Sequence, residues 1–126
     1  MPHRVSKSRF AALVEQALAE LPPQFAEHLE EVAIEIRDRP SVAQLKSVGL
    51  GKRDLLLGLY HGRPRTQRSV LDGAVMPDVI FLFQDDIEQV SSSEADLVDE
   101  VRTTVLHEIG HHFGMSEDDL DDLGYR

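Results

Sequence analysis

From His107 to Glu117 the chain reads His-Glu-Ile-Gly-His-His-Phe-Gly-Met-Ser-Glu, which is His-Glu-x-x-His continued by x-x-Gly-x-x-Glu. On a helix, His107 and His111 stand one turn apart and project from the same face. Two imidazole nitrogens so spaced can each approach one ion to about 2 Å, leaving its other positions for a third ligand and water. Glu108, beside the first ligand, is placed to take a proton from that water. Gly114 follows the second histidine by three residues, where a helix can stop in a left-handed turn and swing the chain back. Glu117 then falls where the returning backbone can present a carboxylate to the same ion. Bare His-Glu-x-x-His arises by chance in on the order of one chain in a few hundred, so the continuation through Gly114 and Glu117 carries the specificity. The pattern predicts Zn2+ held by His107, His111 and Glu117, with Glu108 as general base and peptide bonds as the expected substrate. The competing reading is a surface helix with solvated His and Glu.

Other residues compete for roles in such a site. Asp118, one residue from Glu117, is the alternative third ligand, and the spacing from Gly114 favours Glu117. His112 falls on the helix's apolar stripe and is expected to be a buried structural histidine. His3, His28 and His61 are isolated and read as surface residues. Tyr60 and Tyr125 are candidate hydrogen-bond donors to a tetrahedral oxyanion, set against ordinary strand packing and a frayed terminus. Arg63, Arg65 and Arg68 could meet an acidic substrate group, but a solubilising loop is the default reading.

Composition narrows the partners. The chain has 126 residues, 41% of them hydrophobic, which fits one domain spanning 1–126 with a modest core. Thirteen Lys+Arg against 23 Asp+Glu give a formal net charge of -10. Nucleic acid and anionic membrane both need cationic patches, so neither is expected as the main partner. With no cysteine, disulfides and thiolate ligands are excluded, and a metal must be held by His and carboxylate. Neither a signal-peptide apolar run nor a membrane span is present in the sequence. The expected setting is cytoplasmic, with a peptide or protein substrate; the oligomeric state is left open.

The elements that must position the motif can be read from periodicity. Phe10, Leu13, Val14, Ala17, Leu18 and Leu21 recur at helical spacing over Ser8 to Leu21. A second helix is predicted from Pro23 to about Glu31, with a proline in its first turn. Val32, Ile34 and Ile36 alternate with polar neighbours as a strand. Ser41 to Ser47 reads as a short helix broken at Gly49 to Gly51. Leu55 to Tyr60 is a second strand candidate, and Gly58 and Gly62 favour that reading over a buried helical turn. Residues 61–76 make a long basic connection with a candidate tight turn at Asp72-Gly73. Val79 to Phe83 is the clearest strand, and is expected to be an edge strand forming the cleft wall above His107; the competing reading is a central, fully paired strand, which its continuous apolar run favours. Asp85-Asp86 after it would discourage unwanted edge pairing. The long helix runs from Glu94 to Phe113 behind Ser93 as N-cap. Val98, Val101, Val105 and Ile109 form its apolar stripe, while Glu100, Thr104, His107 and His111 lie on another face. Ser116 can cap a last short helix over Glu117 to Leu123.

With these residues in place, the chain resembles the minimal zincin-like metallopeptidases of bacteria, whose pattern is His-Glu-x-x-His-x-x-Gly-x-x-Asp/Glu near the C-terminus. The similarity covers roughly residues 31–123. It is strongest at Leu55 to Gly62, Pro77 to Glu88 and Val101 to Leu120. The resemblance implies an α+β or α/β fold in which helices pack on a small mixed sheet, with the active-site helix across it near the C-terminus. It also implies that His107, His111 and Glu117 bind zinc, with Glu108 as the base. The related metzincin motif has a third histidine where this chain has an acid. Two other functions compete with peptide hydrolysis. One is a non-catalytic zinc-binding or interaction module in which metal binding supplies folding free energy. The other is amide hydrolysis on a small molecule. A structural zinc site usually has four protein ligands and no use for an unliganded carboxylate beside the ion, which favours the catalytic reading.

Overall fold

The computed structural model describes residues 2–62 and 78–114. Glu117, Asp118, Tyr125, the short helix over Glu117 to Leu123, most of the basic connection and the turn at Asp72-Gly73 lie outside them. The described elements run α1 (Lys7–Ala19), α2 (Pro23–Leu29), β1 (Val32–Arg37), α3 (Val42–Ser47), β2 (Gly58–His61), β3 (Asp78–Phe83), α4 (Gln84–Gln89) and α5 (Glu94–His112). Five helices pack with a three-stranded mixed sheet, an α+β fold. No described helix is long and apolar enough to cross a membrane.

Local chemistry accounts for most boundaries. α1 starts at Ser6, whose side chain accepts the Arg9 N–H, and α3 starts at Ser41 with a complete capping box to Gln44. Pro23 occupies the first turn of α2, where its missing N–H costs nothing. Gly49, at φ +77°, turns the chain after α3. α5 is capped by Ser93, which accepts the Asp96 N–H, and carries Glu94 and Asp96 in its first turn, where acids suit the helix dipole. It ends at Phe113 and Gly114, the latter at φ +80°, the left-handed stop that the motif predicted. α4 was not foreseen: six residues form a single helical stretch directly after β3 with no side-chain cap.

Phe10, Leu13, Val14 and Ala17 on α1 meet Val98, Val101, Val105 and Ile109 on α5 in one buried cluster that also includes Ile80 and Leu82. Each large side chain so buried contributes about 1.5–3 kcal/mol relative to exposure. Ion pairs join Arg9 to Glu94 at 2.6 Å and Arg102 to Glu20 at 2.7 Å, so the two helices run side by side in the same direction.

The strand order is β1-β3-β2, with β1 parallel and β2 antiparallel to β3. This overturns the expectation that Val79 to Phe83 is an edge strand. β3 is central and hydrogen-bonded on both sides, in keeping with its almost continuous apolar run; among the described residues, β1 and β2 are the edges. The second strand is also shorter than expected: Leu55 to Leu57 lead into it and pairing starts at Gly58. Asp86, expected to discourage edge pairing, is 1% exposed. It accepts the Leu56 N–H and pairs with Arg39 Nε, both at 3.0 Å, and so ties the segment before β2 to α4.

Candidate metal centre

One face of α5 builds against β2, residue by residue. Thr104, Glu108 and His112 succeed one another at four-residue spacing and therefore form a single row. Thr104 packs against Gly58 so closely that a Cβ on Gly58 would lie 2.5 Å from Thr104 Cγ2. The next residue of the row, Glu108, accepts the backbone N–H of Tyr60 on Oε1 at 2.8 Å. The last, His112, stacks its ring on Tyr60, with centroids 4.0 Å apart and planes 15° from parallel. Strand β2 thus lies along the Thr104–Glu108–His112 row, and the glycine lets it come close.

The orientation of Tyr60 follows from ladder alternation. Phe83 donates its N–H to the Leu57 carbonyl at 3.0 Å. In an antiparallel pair every second residue bonds its partner, so Leu57, Leu59 and His61 turn toward β3 while Gly58 and Tyr60 turn their backbones outward. The Tyr60 N–H therefore points away from β3, and Glu108 receives it. Burial pushes the Glu108 carboxyl above the ordinary glutamate range, against the Tyr60 N–H and the imidazoles of His111 and His107, which pull it down.

His107 and His111 occupy the neighbouring row of α5. Their ring centroids are 5.9 Å apart with planes tilted by 36°. An ion about 2.1 Å from one nitrogen of each ring would separate the centroids by at most roughly 6.5 Å, so the pair fits a shared ion. The half-buried His107 and the exposed His111 are both imidazoles, the donor type a borderline cation such as zinc takes. Among the described residues, no group of three or more His, Asp, Glu or Cys gathers in a way that could hold a metal. Glu117, the expected third ligand, lies outside them, as does Asp118.

Three further placements correct or extend the reading of the sequence. His112 is not a buried core histidine: its side chain is 40% exposed and lies over Tyr60, with Nε2 3.8 Å from Asp78 Oδ2. Its four-residue spacing from Glu108 is the signal in the sequence that places it in this row. Tyr60 does more than pack in a strand, for its Oη donates to Asp78 Oδ2 at 2.8 Å. Asp78, which the motif did not single out, is thereby brought within one side chain of Glu108. His28 is also less isolated than expected, because its ring stacks on Phe113 at 3.9 Å. His61 is exposed, tilted against Phe81 at 6.4 Å and away from the α5 row. A cavity of about 490 Å³ lined by Arg4, Arg39, Arg53 and Asp85 lies at the other end of β3. Arg39 there is paired with Asp86 and Arg4 with Glu88, so the cavity does not compete as the centre of the chemistry.

An α+β fold with a His-Glu-x-x-His helix packed on an edge strand is the arrangement of a zincin, and the comparison with known families agrees. The profile of the zincin-like metallopeptidase family matches residues 29–125, and the chain belongs to that family. Among solved structures it is similar to a conserved hypothetical protein from Thermus thermophilus. The two are 27% identical with a TM-score of 0.55, over 86% of this chain and 94% of the other. No curated protein sequence matches this chain.

Proposed function

We propose that this chain is a zinc-dependent metallopeptidase in which His107, His111 and Glu117 hold the ion and Glu108 is the general base. The observation that supports this best is the state of Glu108. One carboxylate oxygen is held by an outward backbone N–H, the group is raised in pKa by burial, and it stands beside a histidine pair spaced for one ion. A carboxyl that served only a solvated helix face would need none of these. Zinc, when bound, supplies Lewis-acid polarisation of a carbonyl and lowers the pKa of water. Glu108 accepts a proton on the oxygen that Tyr60 does not hold and returns it to the leaving amine. A raised carboxyl pKa brings that proton transfer nearer to balance at neutral pH.

The substrate class rests on the family, whose description is a zincin-like metallopeptidase. β2 is the strand that borders Glu108, so the cleft wall is assigned to β2, with β3 behind it. The Tyr60 N–H is held by Glu108 and Gly58 is packed against Thr104, so a peptide would meet the motif beside β2 without pairing to these two residues.

Two measurements test the proposal together. Protein purified without added metal should contain one zinc per chain by elemental analysis, and the His107→Ala, His111→Ala double variant should contain almost none. A broad peptide library should then show cleavage that the metal-free protein lacks. Zinc content unchanged by the double substitution would remove the metal assignment. A fully loaded protein that cleaves no peptide would remove the peptidase assignment.

A further inference from the structure

Glu108 takes its hydrogen bond from the weakest part of the sheet. β2 has four residues and, among the described residues, only β3 beside it, and Tyr60 lies one residue from its end. Short edge strands open locally at far lower cost than central ones. The start of β2 is pinned by two bonds, from Leu56 N–H to Asp86 and from Phe83 N–H to the Leu57 carbonyl. At the other end stands Asp78, the first residue of the central strand, with its side chain 15% exposed. Its Oδ2 accepts from Tyr60 Oη at 2.8 Å and faces His112 Nε2 at 3.8 Å. The same carboxylate oxygen thus borders both rings of the Tyr60–His112 stack.

We propose that Asp78 is a positioning residue for Glu108. It holds the Tyr60 ring on His112, closes the end of β2 over α5, and so keeps the Tyr60 N–H on Glu108 Oε1. One oxygen of the base is then fixed by the backbone, which restricts the orientation of the other. Asp78 acts through Tyr60. The catalytic consequence rests on the reading of Glu108 as the base; the mechanical one, that Asp78 keeps β2 closed, does not.

The test is amide hydrogen exchange and 15N NMR on the full chain, loaded with zinc and also metal-free. Glu108→Gln should move the Tyr60 amide resonance and so mark the bond. In Asp78→Ala the Tyr60 amide should exchange about tenfold to a hundredfold faster, as expected when a hydrogen bond to a charged acceptor is lost. The amides of Ile80 and Leu82 in β3 should keep their rates. Tyr60→Phe, which retains the ring and removes only Oη, should reproduce the loosening, and covers the case in which Asp78→Ala does not fold. Asp78→Asn, which keeps an acceptor for the phenol, should stay close to the parent. On any peptide the parent cleaves, Asp78→Ala should lower kcat about tenfold with KM and zinc content little changed.

Unchanged Tyr60 exchange in both Asp78→Ala and Tyr60→Phe would overturn the proposal. So would exchange that rises equally through β3, because Asp78 would then be a general stability residue. Loss of cleavage in Tyr60→Phe with unchanged exchange would assign the hydroxyl to the substrate and overturn it as well. If the loaded parent cleaves no peptide, the peptidase reading fails, while the exchange result still decides the role of Asp78.

Discussion

Gly58→Ala should destabilise the protein and loosen the contact that holds Glu108 at once. The added Cβ would lie 2.5 Å from Thr104 Cγ2 and 3.0 Å from the Phe81 carbonyl oxygen. The first is a methyl on a buried β-branched side chain of α5, stiff at χ1. The second is backbone of the central strand. Neither is the loose end of a flexible side chain, so β2 must move away from the helix. Overpacking of this kind costs about 1–3 kcal/mol. For a chain of this size that lowers Tm by roughly 3–15 °C. Thr104→Ser removes the clashing methyl and keeps the hydroxyl, so in the Gly58→Ala background it should recover about 1 kcal/mol, a coupling that a double-mutant cycle resolves. Urea unfolding is the assay, with the midpoint expected to fall at constant slope. The recovery should be partial, because the Phe81 oxygen remains in place. The Tyr60 amide of Gly58→Ala should exchange faster as the strand leaves Glu108. If Gly58→Ala unfolds at the parent's midpoint, or if Thr104→Ser recovers nothing, the close approach of β2 to α5 is not what Gly58 provides.

Glu108→Gln should keep the parent's zinc content while losing about 10²–10⁴-fold in hydrolysis, the usual contribution of general-base catalysis. Loss of zinc in that variant would make Glu108 a ligand. The same substitution gives a stability prediction for the metal-free protein. Burial raises the folded-state pKa of Glu108, so its charged form is disfavoured by folding. That penalty is absent below the unfolded pKa, about 4.3 for Glu. It grows as pH rises through the folded value. Glu108→Gln should therefore unfold at higher urea than the parent at neutral pH, with the gain shrinking to nothing toward pH 4. A gain that grew on acidification would contradict the sign.

What the sequence determined is local. His107, Glu108 and His111 share one helix because helical periodicity and the Ser93 cap put them there, and Gly114 takes the left-handed turn that ends it. The caps at Ser41 and Ser93 and the proline start of α2 were likewise legible, since each depends on a few neighbouring residues. The place of Val79 to Phe83 in the sheet was not. A period of two assigns side chains to faces, whereas the neighbours of a strand depend on segments far along the chain. Here β1 precedes β3 by 46 positions in register, Val32 against Asp78. The same limit hid the setting of Glu108. Tyr60 donates to Glu108 across 48 residues and to Asp78 across 18. Only the packing of α5 along β2 turned the spacing of Thr104, Glu108 and His112 into a row of contacts. The His-Glu-x-x-His pattern is one short motif, but the geometry that holds Glu108 is made by a strand, a glycine and an aspartate that meet only in the folded state.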